Sequence, residues 1–184
     1  IGDKNATTQV TIVTLMFHVS KSKHSASEYK KWFESMSKSI GQPFVAYVDE
    51  YWSERFIQSC NERNLTGYIY IVENIWALMV ELERSRNRTY LESYLSLQNS
   101  IDPEKKIHSP ELYAIWNLKF YLLNKISNLN PFNSEYFLYT DCGAWRFGVF
   151  SNWPDIEFVK KLGYRLNDRI LLGEINPPDP RDFS

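Results

Sequence analysis

The sequence predicts an α/β fold in which a mostly parallel sheet is flanked by helices. Apolar, β-branched segments recur along the chain without alternating with polar residues, as is typical of parallel strands covered on both faces. Segments with a helical spacing of apolar residues lie between them. The composition, 43% hydrophobic and 16% aromatic over 184 residues, can supply one sizeable core. We therefore predict a single α/β domain over residues 1–184.

The first strand and the first helix have the clearest signals. The strand is the apolar run Gln9–Val19, which is followed by a polar break. Ser25 and Glu28 then match a capping box, in which a serine hydroxyl and a glutamate carboxylate satisfy free helix N–H groups. Gly41 and Pro43 end this helix. Its apolar stripe at helical spacing is Tyr29, Trp32, Phe33, Met36 and Ile40.

The same alternation continues through the middle of the chain. Phe44–Val48 is predicted to be the second strand, and Gly67 precedes a third strand, Tyr68–Val72. The residues around Phe56–Cys60 suggest a short helix between these two strands. A longer, mostly helical region with many charges spans about Trp76 to Leu97.

A second clear helix start lies in the second half of the chain. Ser109 is suited to the N-cap, Pro110 to the first turn, and Glu111 to the positive end of the helix dipole. Asn130 and Pro131 close the helix. Its predicted buried stripe is Tyr113, Trp116, Phe120 and Leu123.

The C-terminal part is predicted to complete the sheet. Tyr136–Thr140 is the fourth strand, and a short helix over about Asp155 to Leu162 leads to a fifth strand, Ile170–Glu174. Residues 177–184 are rich in proline and are predicted to form an unstructured tail. The ordered core is thus expected to span residues 9–176.

Charge and hydropathy exclude several classes of partner. Lys and Arg number 21 and Asp and Glu 22, so the formal net charge is -1 and gives no global attraction to nucleic acid or to an anionic membrane. No run reaches the ~18 apolar residues of a membrane span. The longest candidate, Tyr68–Leu82, is interrupted by Glu73, Asn74 and Glu81. Neither a nucleic-acid partner nor a membrane span is predicted.

Cysteine and histidine show no metal-site pattern. Two cysteines are too few for a disulfide framework or a thiolate zinc site, although one Cys60–Cys142 bridge is left open. His18, His24 and His108 form no HExxH or HxH motif. Catalysis by the Cys142 thiol is disfavoured because no histidine lies near it in the sequence.

Three Asn-x-Ser/Thr sequons lie in polar, turn-like segments, at Asn5, Asn64 and Asn87. They predict glycosylation if the protein is secreted, although a chain rich in Asn, Ser and Thr also produces sequons by chance. The compartment follows the source: the secretory lumen or the extracellular space for a eukaryotic protein, the cytoplasm for a bacterial one.

The predicted sheet indicates where a ligand would bind. Ligands of parallel sheets gather beyond the carboxyl ends of the strands, where the strand order reverses, so the residues after strands one, two and four are of interest. Asp141 follows the fourth strand and could hold a divalent cation or a sugar hydroxyl. Gly143 would let a ligand approach the backbone, and Arg146 could pair with phosphate. An ordinary turn and a surface arginine are the alternatives.

Each of the other candidate binding residues also has a purely structural interpretation. Lys119 could contact phosphate or simply extend its amine to solvent. Trp145 and Trp153 could stack on a sugar ring or pack a loop. No catalytic base is assigned, although four acids are available, namely Asp49, Glu50, Asp155 and Glu174.

A longer string of residues resembles a known family. Lys119 on its helix, the Asn-Pro-Phe-x-Ser loop Asn130–Ser134, and the aromatic strand that ends in Asp141-Cys142-Gly143 are similar to the signature of the HtrL/YibB family. The resemblance covers most of Val10 to Glu174. Its other matching segments are Val13-Thr14-Leu15, Tyr29 with Trp32-Phe33, and Phe44–Glu50.

The family looks like the nucleotide-sugar-binding half of GT-A glycosyltransferases, which implies a GT-A-like nucleotide-diphospho-sugar transferase fold. The resemblance implies that the first strand, with Thr14, and its loop cradle the nucleotide, and that Lys119, Asp141, Gly143 and Arg146 bind the donor. Asp141 would stand at the Asp-x-Asp motif that holds Mn²⁺ or Mg²⁺, although Gly143 replaces the second acid. GT-A enzymes usually continue past the fifth strand, so the chain is expected to be truncated at its C-terminus.

Two functions follow as hypotheses. The leading one is a glycosyltransferase-like protein that binds a nucleoside-diphosphate sugar and transfers the sugar to a glycan or polysaccharide acceptor. The other is a non-catalytic α/β domain with a degenerate metal motif, which binds carbohydrate or a protein partner.

Overall fold

The computed structural model describes residues 10–86 and 91–166 of the chain. The predicted fifth strand, Ile170–Glu174, and the tail 177–184 lie outside these residues. In order, the elements are β1 (Val10–Met16), α1 (Ala26–Ser39), β2 (Phe44–Val48), α2 (Glu50–Arg63), β3 (Gly67–Ile71), α3 (Ile75–Arg86), α4 (Leu91–Ile101), α5 (Pro110–Leu129), β4 (Tyr136–Tyr139), a short 3₁₀ helix (Cys142–Trp145) and α6 (Ile156–Leu166).

The four described strands form one sheet in the order β3-β2-β1-β4, and every pair of neighbours is parallel. Strand β1 is central, and all seven of its residues are buried. Its register places Thr14 opposite Ala46 of β2 and Val13 opposite Tyr139 of β4. The predicted α/β fold with a mostly parallel sheet is confirmed, and it is consistent with a Rossmann-like or GT-A-like arrangement.

Each face of the sheet has its own apolar core, because side chains alternate between faces along a strand. Val13 and Leu15 of β1 pack with α3, α4 and α5. Ile12 and Met16, their neighbours along the strand, pack on the opposite face with α1 and α2. This double coverage explains why β1 is apolar without alternation.

The capping box of α1 is confirmed. Ser25 Oγ accepts a hydrogen bond from the Glu28 amide at 3.3 Å, and Glu28 Oε2 accepts one from the Ser25 amide at 2.8 Å. The hydrogen bonds from Ser25 hold the pKa of Glu28 below its usual value. The sequence therefore defined the start of this helix and the contacts that stabilise it.

Helix α2 is longer than the predicted short helix. Asp49 caps it, since Asp49 Oδ1 accepts a hydrogen bond from the Trp52 amide at 3.1 Å. Asn64 ends it in the left-handed conformation, with φ of 52°. The predicted segment, Phe56–Cys60, is the middle of α2. The predicted helical region from Trp76 to Leu97 is occupied by α3 and α4.

The predicted buried stripe of α5 is wrong in two positions. Trp116 is 42% exposed and Phe120 is 56% exposed. The residues that face the sheet form a neighbouring stripe at four-residue spacing, namely Ala114, Leu118, Leu122 and Ile126. Both stripes are apolar, so periodicity alone could not choose between them, and the smaller residues pack against the sheet. Ser109 stands at the N-cap as predicted, but its side chain makes no capping hydrogen bond.

Residues from Asp155 onward belong to a second compact unit, separate from the unit that ends at Pro154. Its described part is α6, which confirms the helix predicted near Asp155–Leu162. Asp155 begins this helix, because its Oδ1 accepts a hydrogen bond from the Phe158 amide at 3.1 Å. The boundaries of a single domain stay a prediction.

Asn64 is the sequon residue that the structure describes. It is exposed at the end of α2. Asn5 and Asn87 lie outside the described residues. Among the helices of the described chain, none is both long and apolar enough to cross a bilayer.

Candidate functional site

A cleft with a volume of about 410 Å³ lies where the strand order reverses. Strands β1, β2 and β3 add to the sheet in one direction, whereas β4 lies on the other side of β1. The residues that follow β1 and β4 line the cleft, and so do Tyr51 and Trp52 at the start of α2. The cleft is thus lined by residues after strands one, two and four, where the parallel sheet predicted a ligand site.

Asp141 presents its carboxylate to this cleft directly after β4. Its side chain is 42% exposed, and Lys119 Nζ contacts its Oδ2. The Tyr139 hydroxyl donates a hydrogen bond to Oδ1 at 3.2 Å. Burial, together with the neighbouring carboxylate, raises the pKa of Tyr139 well above its usual value, so the hydroxyl keeps its proton. Both oxygens of Asp141 are therefore engaged by donors.

Lys119 reaches the cleft from α5 and is held from two sides. Besides the Asp141 carboxylate, its ammonium lies 5.6 Å from the centre of the Tyr139 ring. The side chain is 24% exposed. The lysine is therefore held at the wall of the cleft by an ion pair and a cation–π contact, and is not simply extended into solvent.

Arg146 supplies a second cation. Its Nε donates a hydrogen bond to the Gly143 carbonyl at 2.9 Å, and its guanidinium lies 5.0 Å from the centre of the Trp32 ring. A Cβ at position 143 would lie 3.4 Å from Arg146 Nη2. A side chain at position 143 would thus contact the end of the arginine.

The charge of the cleft differs in sign from that of the chain. The formal net charge of the whole sequence is -1. Among the described residues that line the cleft, Lys119 and Arg146 carry positive charge, and Asp141 is the one carboxylate. This surplus of positive charge favours an anionic ligand.

Two histidines also line the cleft, a position that their lack of a metal-binding motif did not predict. His18 lies two residues after the end of β1, and its ring centre lies 5.7 Å from that of Tyr51. His24 packs its ring edge against Trp32, with 4.8 Å between centres. Its Nδ1 lies 3.5 Å from Glu28 Oε1. Both histidines follow the first strand, where ligands of parallel sheets bind, and this position was the feature of the sequence that could have indicated their place in the cleft.

Aromatic side chains make up much of the wall, namely Tyr29, Trp32, Tyr51, Trp52 and Trp116. Tyr51 is 45% exposed and Trp116 is 42% exposed, so both offer surface to a planar ligand. The exposure of Trp116 has a structural reason, because it lies on the face of α5 that is turned away from the buried Leu118 stripe.

The structure does not place Thr14 in the cleft. Thr14 is fully buried in β1, and its Oγ1 donates a hydrogen bond to the Thr140 carbonyl at 2.9 Å. This contact joins β1 to the end of β4. A direct contact between Thr14 and a nucleotide is thus not supported by the geometry.

Trp145 and Trp153 pack the loop that follows β4. Trp145 is buried, and its ring lies edge-on to Trp153, with 5.0 Å between centres. Its Nε1 donates a hydrogen bond to Thr140 Oγ1 at 3.2 Å. Neither tryptophan lines the cleft, so the alternative of loop packing describes them better than sugar stacking.

Two of the acids considered as catalytic bases, Asp49 and Glu50, do not line the cleft either. Asp49 accepts hydrogen bonds from the amides of Trp52 and His18, the latter at 2.6 Å, so it braces the loop after β1. Glu50 lies exposed in the first turn of α2, and Asp155 caps α6 in the second unit. Glu174 lies outside the described residues.

Both cysteines are free thiols, so the open question of a bridge is answered. Burial, with a contribution from Asp141, raises the pKa of Cys142 to about 12. Burial also raises the pKa of Cys60. Because the thiolate is the reactive form, neither environment activates a nucleophile.

The donor set of the cleft fits a divalent cation poorly. Mn²⁺ and Mg²⁺ prefer about six oxygen ligands, and the described lining supplies one carboxylate, whose oxygens already contact Lys119 and Tyr139. Within residues 10–86 and 91–166, no group of three or more His, Cys, Asp or Glu side chains could hold a metal. A metal at Asp141 would have to displace the Lys119 ammonium or lie beside it.

Comparison with known proteins gives one match. A family model described as a bacterial protein of unknown function (HtrL_YibB) matches residues 8–148. These residues include all four described strands and the charged side chains of the cleft. No curated protein and no solved structure matches the chain.

Proposed function

The chain belongs to the HtrL/YibB family, and on the geometry of its cleft we propose that it binds a nucleoside-diphosphate sugar and transfers the sugar to a glycan or polysaccharide acceptor. The observation that supports this proposal best is the pair of cations, Lys119 and Arg146, in an aromatic-walled cleft at the β1/β4 switch point.

Each part of such a donor finds a chemical counterpart in the cleft. Lysine and arginine donate charge-assisted hydrogen bonds to phosphate oxygens. The exposed rings of Tyr51 and Trp116 offer flat surfaces for a base or a sugar. A volume of about 410 Å³ lies within the usual range of small-molecule pockets.

The same cations would assist the transfer. When the bond from the anomeric carbon to the diphosphate breaks, the electron pair leaves with the diphosphate, and cations already in place stabilise the growing negative charge. The acceptor oxygen forms the new bond to the anomeric carbon and gives up its proton.

His24 is the best-placed residue to receive that proton. It lines the cleft, and the Glu28 carboxylate lies 3.5 Å from its Nδ1. A carboxylate on that side favours a proton on Nδ1 and leaves Nε2 as an acceptor. Glu28 is itself fixed by the capping box with Ser25. Imidazole is the commonest general base in enzymes.

Binding can be tested with a panel of UDP-, GDP- and CMP-sugars by thermal shift and titration calorimetry. We expect at least one uridine or guanosine diphosphate sugar to stabilise the protein. Lys119→Met should weaken that binding by roughly 10- to 100-fold, because a charge-assisted hydrogen bond is lost. Arg146→Gln should also weaken it.

Lys125→Met is the matched control. Lys125 lies on the same helix, contacts Glu81, and lies 5.6 Å from the centre of the Tyr47 ring, as Lys119 does from Tyr139. It does not line the cleft. The proposal fails if no nucleotide sugar in the panel binds, or if the control variant loses affinity as much as Lys119→Met.

A non-catalytic binding domain is the second candidate function. The observation in its favour is that Asp141, the one carboxylate among the described residues of the cleft, is engaged by Lys119 and Tyr139. Release of free nucleotide from a bound nucleotide sugar separates the two functions. Binding without any release, with water or with oligosaccharide acceptors, would favour the binding domain.

A further inference from the structure

We infer that the cleft binds the diphosphate of its ligand without a divalent cation, and that the Lys119 ammonium occupies the place a metal ion would take. This inference rests on the proposed function, since it names the means by which the same site neutralises the diphosphate. It depends on the contact between Lys119 and Asp141.

The ammonium is a fixed part of the site. Asp141 Oδ2 contacts Lys119 Nζ, and the Tyr139 hydroxyl occupies Oδ1 at 3.2 Å. The Tyr139 ring lies 5.6 Å below the same ammonium. The Asp141 carboxylate and the Tyr139 ring thus position one cation, the Tyr139 hydroxyl holds the carboxylate, and Asp141 acts as a positioning residue for the ammonium.

A divalent cation would meet three obstacles here. It would have to displace Lys119 from Asp141, or else lie beside an ammonium of the same charge sign. It would also lack further carboxylates, because the other lining side chains of the described chain are apolar, aromatic, imidazole, hydroxyl or cationic, apart from the Cys142 thiol, whose raised pKa keeps it protonated. The Ser22 hydroxyl oxygen already accepts a hydrogen bond from the His24 amide at 3.2 Å.

An anion meets none of these obstacles. An ammonium has three donors, so Lys119 can keep its contact with Asp141 and still donate to phosphate oxygens. Arg146 uses its Nε on the Gly143 carbonyl, which leaves its terminal nitrogens for a second phosphate. Two cations then contact the diphosphate, where a metal-dependent site would use one divalent ion.

Asp141 would have opposite effects on diphosphate binding in a metal-dependent site and in a metal-free site. As a metal ligand it would be essential for binding the ligand. As the partner of Lys119 it repels the diphosphate and competes with it for the ammonium. Replacing Asp141 by Asn removes the negative charge and keeps the shape, so it separates the two roles.

The experiment titrates UDP, GDP and inorganic pyrophosphate into the full chain by calorimetry, first in excess EDTA and then with added Mn²⁺ or Mg²⁺. We expect binding in EDTA, with no gain in affinity from either metal. Lys119→Met should lose roughly 10- to 100-fold in affinity in EDTA. Lys119→Arg should keep most of the affinity, and Asp141→Asn should keep or increase it.

The outcomes separate this inference from the proposed function. Binding that needs Mn²⁺ or Mg²⁺, or that Asp141→Asn abolishes in a protein whose thermal unfolding is unchanged, overturns the inference and leaves nucleotide-sugar binding intact. A lack of binding under every condition overturns both. If Lys119→Met unfolds, Lys119→Arg and Asp141→Asn still decide the matter.

Discussion

The orientation of the His24 side chain in the cleft is set by contacts with its neighbours. Its ring is fixed by Trp32 on one side, and its Nδ1 faces Glu28 at 3.5 Å. His108 also faces a carboxylate, with 2.8 Å between its Nδ1 and Asp102 Oδ2, but it does not line the cleft. The two imidazoles therefore form a matched pair for a test of acid–base catalysis.

His24→Gln should leave nucleotide-sugar affinity nearly unchanged and slow sugar transfer by roughly 10²- to 10⁴-fold, the usual contribution of a positioned base. The measurement is release of free nucleotide in the presence of an acceptor, with affinity followed by calorimetry. His108→Gln is the control and should retain full turnover. Normal turnover by His24→Gln would show that His24 is not the general base.

For single residues, the sequence predicted the location of a side chain correctly where its position relative to a strand determines that location. Asp141 could be placed at the rim because it follows an aromatic strand directly. Thr14 could not, because β1 is buried on both faces, and Thr14 lies inside the strand, two residues before its carboxyl end. The contact between Lys119 and Asp141 joins residues 22 positions apart, and it required the packing of α5 against β4.

Helix α5 connects the core to the cleft. Its Leu118 stripe is buried against the sheet, whereas Leu112, Ile115, Trp116 and Lys119 line the cleft. The helix start was predictable from Ser109, Pro110 and Glu111. The buried face was not, since aromatic residues and smaller aliphatic residues form two competing apolar stripes, and only the space beside the sheet selects between them.

Leu118→Ala should lower the free energy of unfolding by about 2–5 kcal/mol, because Leu118 is fully buried and its removal leaves a cavity. Phe120→Ala should change it by less than about 0.5 kcal/mol, since that ring is 56% exposed. Urea unfolding followed by circular dichroism measures both. Equal losses of unfolding free energy in the two variants would contradict the assignment of the Leu118 stripe as the buried face of α5.

At the scale of the whole molecule, strand order determines where the cleft lies. The crevice opens between β1 and β4 because β4 is added on the opposite side of β1 from β2 and β3. The sequence could predict a parallel sheet from its apolar strands, and hence a site at the carboxyl ends. It could not predict the strand order itself, which depends on long-range pairing between residues more than 120 positions apart.

The family match and the described architecture divide the chain near the same point. The match ends at residue 148, and the first compact unit ends at Pro154. That unit contains all four described strands, both described apolar cores of the sheet and every described residue that lines the cleft. It also includes the bridge between Ile40 and Trp153, which ties the loop after β4 to the end of α1.

A chain ending at Pro154 should therefore fold cooperatively and bind inorganic pyrophosphate with the affinity of the full chain. Thermal unfolding and calorimetry, with the full chain measured alongside, test both properties. The physical reason is that the charged pair Lys119–Asp141, Arg146 and the surrounding aromatic wall are all positioned by residues before Asp155. A shortened chain that folds but no longer binds would show that residues after Pro154 contribute to the site.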